Sequence, residues 1–182
     1  MLLITLAITA PTFAADPAPT PELIALVKQA VSESTSFEDR FAAQVWLMDM
    51  STRLAPRMPD ASKRLKFLRL LHAEATHADV PPELVLAVIE VESDFRRFAI
   101  SPVGARGLMQ VMPFWLEEIG KPEANLFDPQ TNLRIGCTIL HYYLGRADGD
   151  LRKALARYNG SVNSYVYSDK VLWALSHQWY RE

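Results

Sequence analysis

The sequence predicts an all-α fold, and two patterns carry the prediction. Between Glu22 and His77, apolar residues recur at the three- and four-residue spacing that lines one face of a helix. After Pro81 and Pro82, which suit a first helical turn, an apolar run extends to Val91, as expected for a helix buried on nearly all sides. The 182-residue chain is 49% hydrophobic and 22% charged, which is enough to bury a core without metals or crosslinks.

Three helices are predicted before residue 79. The first contains a stripe that includes Leu23 and Leu26; the second opens at Ser36, which with Asp39 resembles a capping box; the third spans about residues 61–75. These helices either brace the rest of the chain or form an independent module that binds a partner in an envelope complex. The brace would cover a set of large apolar residues that are otherwise exposed, namely Phe41, Val45, Trp46, Leu65, Leu68 and Leu71.

Two more helices are predicted towards the C-terminus. Residues 125–129 have the character of a cap and precede a helix that ends near Leu144. Gly149 and Asp150 precede a further helix, whose common face includes Leu151 and Tyr158.

The first 21 residues are predicted to be an export signal and a linker. Residues 1–10 form an apolar run that is too short to span a bilayer, and small residues near residue 14 offer a cleavage site, so residues 1–14 are typical of a cleaved signal. No Lys or Arg precedes Lys28, so the usual basic region is missing and a buried N-terminal helix is the alternative. Residues 15–21 contain three prolines and predict an extended linker. The single cysteine, Cys137, lies deep in the chain and not directly after the apolar run, so we expect no lipid anchor. From the export signal we expect a periplasmic protein that is not integral to the membrane.

One carboxylate in the apolar helix is unusual. At about 100° per residue, one line along the helix carries only charged residues, which predicts a solvated face: Glu83, Glu90, Asp94 and Arg97. Glu92 instead extends the apolar stripe that includes Val88, close to the helix C-terminus, where the helix dipole disfavours an anion. Both effects raise its pKa, as general acid catalysis near neutral pH requires. The alternative is a surface Glu at a frayed helix end.

Three segments resemble the signatures of one family, and they occur in that family's order. Residues 82–95, 101–110 and 157–160 resemble the lytic transglycosylase domain of the soluble-transglycosylase type. The resemblance implies a lysozyme-like α domain over residues 79–182, with residues 22–78 as a short N-terminal helical extension. It also implies cleavage of peptidoglycan glycan strands, with Glu92 as the sole catalytic carboxyl.

The resemblance further implies which residues contact the substrate. Ser101 is the position whose hydroxyl contacts glycan, and Gln110 and Met112 match positions that line the cleft, whereas Met109 is expected in the core. Phe114 and Trp115, which follow directly, are either core residues or a platform for a sugar ring.

The third signature adds Tyr158 and Asn159, of which the Asn contacts substrate in the family. Many members have Ala and Gly after this Asn, whereas this chain has Gly160-Ser161, which puts the loop geometry in doubt. Tyr167 matches a Tyr that can hydrogen-bond the catalytic Glu, and Tyr165 is close enough to compete for that assignment. The alternative is that either Tyr packs at the rim of the site.

No metal, cofactor or nucleic acid is predicted. His72 and His77 are five residues apart and diverge by about 140° on a helix, whereas two ligands of one metal need to lie one turn apart. A net charge of -2 provides no electrostatic attraction for nucleic acid.

The mechanism depends on whether a second carboxylate is available. Most glycoside hydrolases place one about 5 to 9.5 Å from the acid. Glu90 and Asp94 are each two positions from Glu92 and therefore lie on roughly the opposite side of the helix. The remaining candidates are better explained as a solvated helix face or a cap, namely Glu117, Glu118 and Asp128. We therefore predict a one-carboxyl reaction in which Glu92 protonates the glycosidic oxygen and the C6 hydroxyl of the same muramyl residue attacks C1, giving a 1,6-anhydromuramoyl end.

Two alternatives to this reaction remain open. The first is a goose-type, lysozyme-like hydrolase, in which water replaces the C6 hydroxyl. The second is a catalytically idle glycan-binding factor of an envelope machine, against which the complete set of predicted site residues argues.

Overall fold

The computed structural model describes residues 40–180, and that part of the chain is helical. Its seven α-helices are α1 (Arg40–Leu54), α2 (Ala61–His77), α3 (Pro82–Ser93), α4 (Phe114–Glu118), α5 (Pro129–Gly145), α6 (Leu151–Asn159) and α7 (Val166–Ala174). One π-helical turn, Leu175–Trp179, follows α7 directly. The all-α prediction is therefore confirmed. The predicted signal, the linker, the first helix and the Ser36 cap lie outside the described residues.

Three aspartates fix the starts of α2, α5 and α6. The side chains of Asp60, Asp128 and Asp150 each accept a hydrogen bond from the backbone N–H three residues later, at 2.9–3.0 Å. Such caps satisfy N–H groups that have no partner inside the helix. The predicted starts of these three helices are confirmed.

Helix α3 lies at the centre of the fold. Residues 84–89 are all buried, which matches the apolar run of the sequence. Helices α2 and α7 and the π-helical turn pack around α3, and α5 packs against both α2 and α6. None of the described helices is long and apolar enough to span a membrane.

Residues 40–77, the described helices of the predicted extension, pack against the helices that follow. Helix α1 contacts α2 and the π-helical turn, and α2 contacts α3 and α5. The buried carboxylate of Glu74 in α2 binds Arg134 of α5. Phe41 and Val45, which were expected to be covered, are exposed.

The predicted solvated face of α3 is wrong for two of its three acidic residues. Glu83 is partly buried and accepts a hydrogen bond from the Trp46 indole at 2.6 Å. Glu90 is also partly buried and accepts hydrogen bonds from Arg57 and Trp179, whereas Asp94 is exposed. A helical pattern identifies a line of polar residues, but it does not reveal that neighbouring helices cover that line.

The loop after α3 is folded back over the end of that helix. Asn132, at the start of α5, is buried and makes three hydrogen bonds. It accepts from the Met109 N–H of this loop at 2.8 Å, and it donates at 2.9 Å to the Arg106 carbonyl of the loop and to the Leu126 carbonyl, which lies between α4 and α5. The Ser93 hydroxyl donates to the Leu108 carbonyl at 2.8 Å. These bonds fix the loop beside the last turn of α3.

Candidate active site

The loop after α3 and the helices α3, α4, α5 and α6 line an open cavity of about 220 Å³. Six of the seven predicted site residues line this cavity, namely Glu92, Ser101, Gln110, Met112, Tyr158 and Asn159. The structure therefore brings together residues that are up to 67 positions apart in the chain. Met109 is fully buried, in agreement with its predicted core position.

Glu92 is partly buried in the last turn of α3. Burial raises the pKa of its carboxyl from the ordinary value of 4.5 to about 7, and interaction with Tyr167 opposes the rise. The cause is desolvation, which penalises the charged form of the acid. Near neutral pH this side chain is therefore divided between its acid and its carboxylate, so it can both donate and accept a proton.

Tyr167, and not Tyr165, is beside Glu92. The Tyr167 hydroxyl is buried and makes no hydrogen bond within the usual distance and angle limits, so its interaction with the Glu92 carboxyl is weaker than a well-aligned hydrogen bond. Tyr165 lies under the guanidinium of Arg152, whose Cζ is 4.4 Å from the centre of the ring. Of the two tyrosines, the structure therefore places Tyr167 next to Glu92 and Tyr165 next to Arg152.

Tyr158 is the second phenol near Glu92. Its hydroxyl donates a hydrogen bond to the Met109 carbonyl at 2.8 Å, which ties α6 to the loop. Burial, with a smaller contribution from the Glu92 charge, raises the pKa of the Tyr158 phenol well above 10, so the phenol stays neutral.

The side chains of Ser101 and Gln110 form hydrogen bonds with backbone groups of the loop that contains them. The Ser101 hydroxyl accepts from the Ala105 N–H at 3.1 Å. The Gln110 side-chain amide donates to the Gly107 carbonyl at 2.8 Å and to the Ala99 carbonyl at 3.2 Å. Among residues 40–180, the Ser101 proton and the Gln110 amide oxygen have no hydrogen-bond partner, so both can contact a ligand.

Asn159 ends α6 and its side chain is exposed in the cavity wall. Gly160 follows with φ of 79°, the left-handed conformation that commonly ends helices, and the Ser161 N–H returns to the Ala156 carbonyl at 2.8 Å. The departure from the family sequence at residues 160 and 161 is therefore accommodated by an ordinary helix end.

Five further residues line the cavity, and four of them were not anticipated. Trp115 lines it, whereas Phe114 is exposed and packs against the Trp115 ring with centroids 5.3 Å apart. The sequence did not decide whether either residue faces the substrate, and in the structure only Trp115 lines the cavity. The four that sequence reasoning missed are Val103, Ala105, Val111 and Ile139. They carry no polar atoms in their side chains, so nothing distinguishes them from core residues in the sequence.

Glu92 is the only acidic side chain lining the cavity among residues 40–180. Glu117 and Glu118 are exposed on α4, and the Asp128 carboxylate is occupied by the Thr131 N–H and hydroxyl at 2.9 and 3.0 Å. The three candidates for a second carboxylate are therefore outside the cavity lining.

Comparison with known protein families assigns the chain to one of them. The model of the transglycosylase SLT domain matches residues 69–166, more than half of the chain. The chain therefore belongs to the family of SLT-domain transglycosylases.

Individual relatives support the same family. A protein of Enterobacteria phage PRD1 named transglycosylase is 34% identical over 109 residues, which cover 60% of this chain and 40% of that protein. The membrane-bound lytic murein transglycosylase C of Yersinia pestis is 32% identical over 124 residues, covering 58% of this chain and 35% of the relative. The aligned region thus spans two fifths or less of these relatives.

A solved structure is also similar to the chain. The X-ray structure of an inactive mutant of the lytic transglycosylase Slt from Pseudomonas aeruginosa has a TM-score of 0.47 and 23% identity. The similarity covers 79% of this chain and 30% of that chain.

Proposed function

We propose that this protein is a peptidoglycan lytic transglycosylase that cleaves the MurNAc-β-1,4-GlcNAc bond without water and leaves 1,6-anhydromuramoyl ends. The observation that carries the proposal is a single carboxyl, Glu92, with a pKa of about 7 in a cavity lined by no other described acidic residue. Family membership supports the reaction class. The relatives named transglycosylase and lytic murein transglycosylase support the substrate.

In this proposal one carboxyl performs both proton transfers. Protonated Glu92 donates its proton to the glycosidic oxygen as the bond from C1 to that oxygen breaks. The resulting carboxylate accepts the proton of the C6 hydroxyl while O6 forms a bond to C1, so Glu92 ends protonated and no water is consumed. Because the attacking hydroxyl belongs to the same sugar, proximity supplies a high effective concentration and no enzyme nucleophile is needed.

The other predicted residues act on the substrate or on Glu92. We assign the Ser101 hydroxyl, the Gln110 amide oxygen and the Asn159 side chain to sugar hydroxyls and acetamido groups, because these groups are polar and line the cavity. Met112 and Tyr158 contribute apolar surface for a sugar ring, and the Tyr167 hydroxyl interacts with the Glu92 carboxyl.

The location and the domain division belong to the same proposal. We propose a periplasmic protein, exported through residues 1–14, whose catalytic domain spans residues 79–182. The linker at residues 15–21 and the extension at residues 22–78 precede it. A periplasmic enzyme can reach a substrate in the cell wall.

A goose-type hydrolase and an idle glycan-binding factor are the alternatives. The hydrolase would need a group to activate water, and no second described carboxylate lines the cavity. The binding factor would not need a carboxyl with a pKa raised to about 7.

Product analysis separates the lyase from both alternatives. Purified peptidoglycan is digested, and the released muropeptides are measured by mass spectrometry before and after borohydride treatment. We expect products one water lighter than those of a lysozyme control, with no uptake of hydride, because an anhydro end has no free aldehyde to reduce. Products that mostly take up hydride would identify water as the nucleophile, and an absence of products would favour the binding factor.

The pH dependence of the reaction follows from the state of Glu92. The free enzyme needs the protonated acid, and its pKa is about 7, so kcat/KM is expected to fall about tenfold for each pH unit above that value. Below it the acid is already protonated and this group imposes no further gain. Initial rates on soluble glycan fragments, in buffers of constant ionic strength, would show a descending limb with its midpoint near neutral pH. Rates that still increase well above neutral pH would contradict the assignment.

A further inference from the structure

The last turn of α3, which carries Glu92, ends in uncommon backbone. Asp94 and Phe95 both lie in the left-handed region, with φ of 49° and 61°. Residues with side chains rarely adopt this conformation, and two in succession persist only when the surroundings hold them. The contacts that stabilise this turn therefore also determine where the Glu92 carboxyl points.

One arginine contacts three residues of this turn. Arg57, in the turn after α1, donates through Nη2 to Glu90 Oε1 at 2.5 Å and through Nε to Asp94 Oδ1 at 2.9 Å. Its Cζ lies 6.0 Å from the centre of the Phe95 ring. The guanidinium thus bridges the last helical turn and the two left-handed residues.

The other end of the described chain contacts the same turn. The Trp179 indole donates to Glu90 Oε2 at 2.7 Å, and its ring lies 5.6 Å from that of Phe95. Both carboxylate oxygens of Glu90 are therefore occupied, one by Arg57 and one by Trp179. Trp179 is almost fully buried.

Fixing Glu90 also fixes Glu92. Glu92 is two positions after Glu90, so the two side chains point to roughly opposite sides of the helix. A rotation of the last turn that released Glu90 would move the Glu92 carboxyl within the cavity. The contacts on the far side of α3 consequently act on the geometry of the cleft.

We infer that Arg57 is a positioning residue for Glu92, acting through Glu90, Asp94 and Phe95. The inference rests on the proposed function of Glu92. Arg57 lies before residue 69 and thus outside the stretch that the family model matches. The extension would then contribute to turnover by holding the catalytic turn, without contacting the substrate.

Lysine is not an equivalent residue at this position. A guanidinium presents several donors in a fixed planar arrangement and can bind two carboxylates at once, whereas an ammonium is a compact point charge on a flexible stem. Arg57→Lys should therefore keep the charge and lose part of the geometry.

The test compares Arg57→Ala and Arg57→Lys with Arg53→Ala. Arg53 is a matched control: it binds Asp49 and the Gln178 carbonyl but no residue of α3. We expect Arg57→Ala to lower kcat by about 10- to 100-fold, since a misplacement of about 1 Å has effects of that size. KM should change little because the cavity lining is intact. Arg57→Lys should give an intermediate kcat, and Arg53→Ala the wild-type value.

All variants are measured well below their melting temperatures, with circular dichroism to verify folding. A loss of thermal stability in Arg57→Ala with a wild-type kcat would overturn the inference and leave Arg57 a purely structural residue. If Arg57→Ala does not fold, Arg57→Lys decides: a wild-type kcat overturns the inference and a reduced kcat with unchanged KM supports it.

Failure of the underlying proposal is recognised separately, from Glu92→Gln in the same assay. If Glu92→Gln stays active, the proposed function fails. If Glu92→Gln is inactive and Arg57→Ala turns over normally, only the positioning role fails.

Discussion

Replacing Glu92 with Gln is expected to lower the turnover of peptidoglycan by about 10²- to 10⁴-fold, the usual contribution of general acid-base catalysis. Gln has the shape of the protonated acid but neither donates a proton to the leaving oxygen nor accepts one from the C6 hydroxyl. Initial rates of muropeptide release measure the effect. Glu118→Gln is the matched control, because Glu118 is exposed outside the cavity lining and should be dispensable. A Glu92→Gln variant with more than about a tenth of wild-type activity would refute the assignment.

The same variant has an expected effect on stability, and its sign depends on pH. The pKa of Glu92 is raised from 4.5 to about 7 on folding, so between these values the native state binds more protons than the unfolded state. Wild-type stability should therefore fall as pH rises from about 4.5 to about 7, by at most about 3 kcal/mol.

Gln is uncharged at every pH and avoids this loss. Glu92→Gln should therefore melt several degrees above wild type at pH 8 and close to wild type at pH 4. Thermal melts of both proteins at the two pH values test this. Equal melting temperatures at pH 8 would mean that Glu92 is not held in its raised-pKa environment.

The largest expected loss of stability is for Gly107→Ala. Gly107 has φ of 78°, and an added Cβ would lie 2.5 Å from the Leu126 carbonyl oxygen and in still closer contact with the Asn132 amide nitrogen. The backbone conformation alone costs about 1–2 kcal/mol for a side-chain-bearing residue. Displacing Asn132 would also break buried hydrogen bonds, each worth about 1–3 kcal/mol when one partner is left unpaired. Urea unfolding should show a loss of about 3 kcal/mol or more.

Gly149→Ala separates these two contributions. Gly149 has a similar φ of 81°, but an added Cβ would meet nothing within 4 Å. We expect it to cost only about 1–2 kcal/mol. Equal losses for the two variants would show that the packing of Asn132 against Gly107 is unimportant.

Gly107→Ala should also lower the enzymatic activity more than Gly149→Ala does. Gln110 donates to the Gly107 carbonyl, so Gly107→Ala moves a cavity residue together with the loop. Gly149 lies in the turn before α6 and does not line the cavity.

Much of the fold could be predicted because its determinants are local. The helix starts at Asp60, Asp128 and Asp150 depend on an oxygen three residues before an unpaired N–H, a relation that the sequence displays directly. The apolar run that became the buried α3 could be identified for a similar reason: a helix surrounded by other elements has apolar residues on every side.

The site could be predicted in part. Glu92, Gln110 and Asn159 fall within motifs of adjacent residues, and their side chains now line one cavity. Ile139 could not be identified, because its position in the cavity depends on how α5 crosses the loop.

The sequence by itself therefore determined the helical class, the helix starts and the isolation of Glu92 on the apolar side of α3. Only the tertiary structure decided that Tyr167 rather than Tyr165 meets Glu92, that Trp115 rather than Phe114 lines the cavity, and that Arg57 and Trp179 converge on Glu90. The physical reason is the separation along the chain of the residues that interact. Capping and amphipathicity act between residues a few positions apart, whereas these contacts join residues separated by up to 89 positions and depend on how whole helices pack.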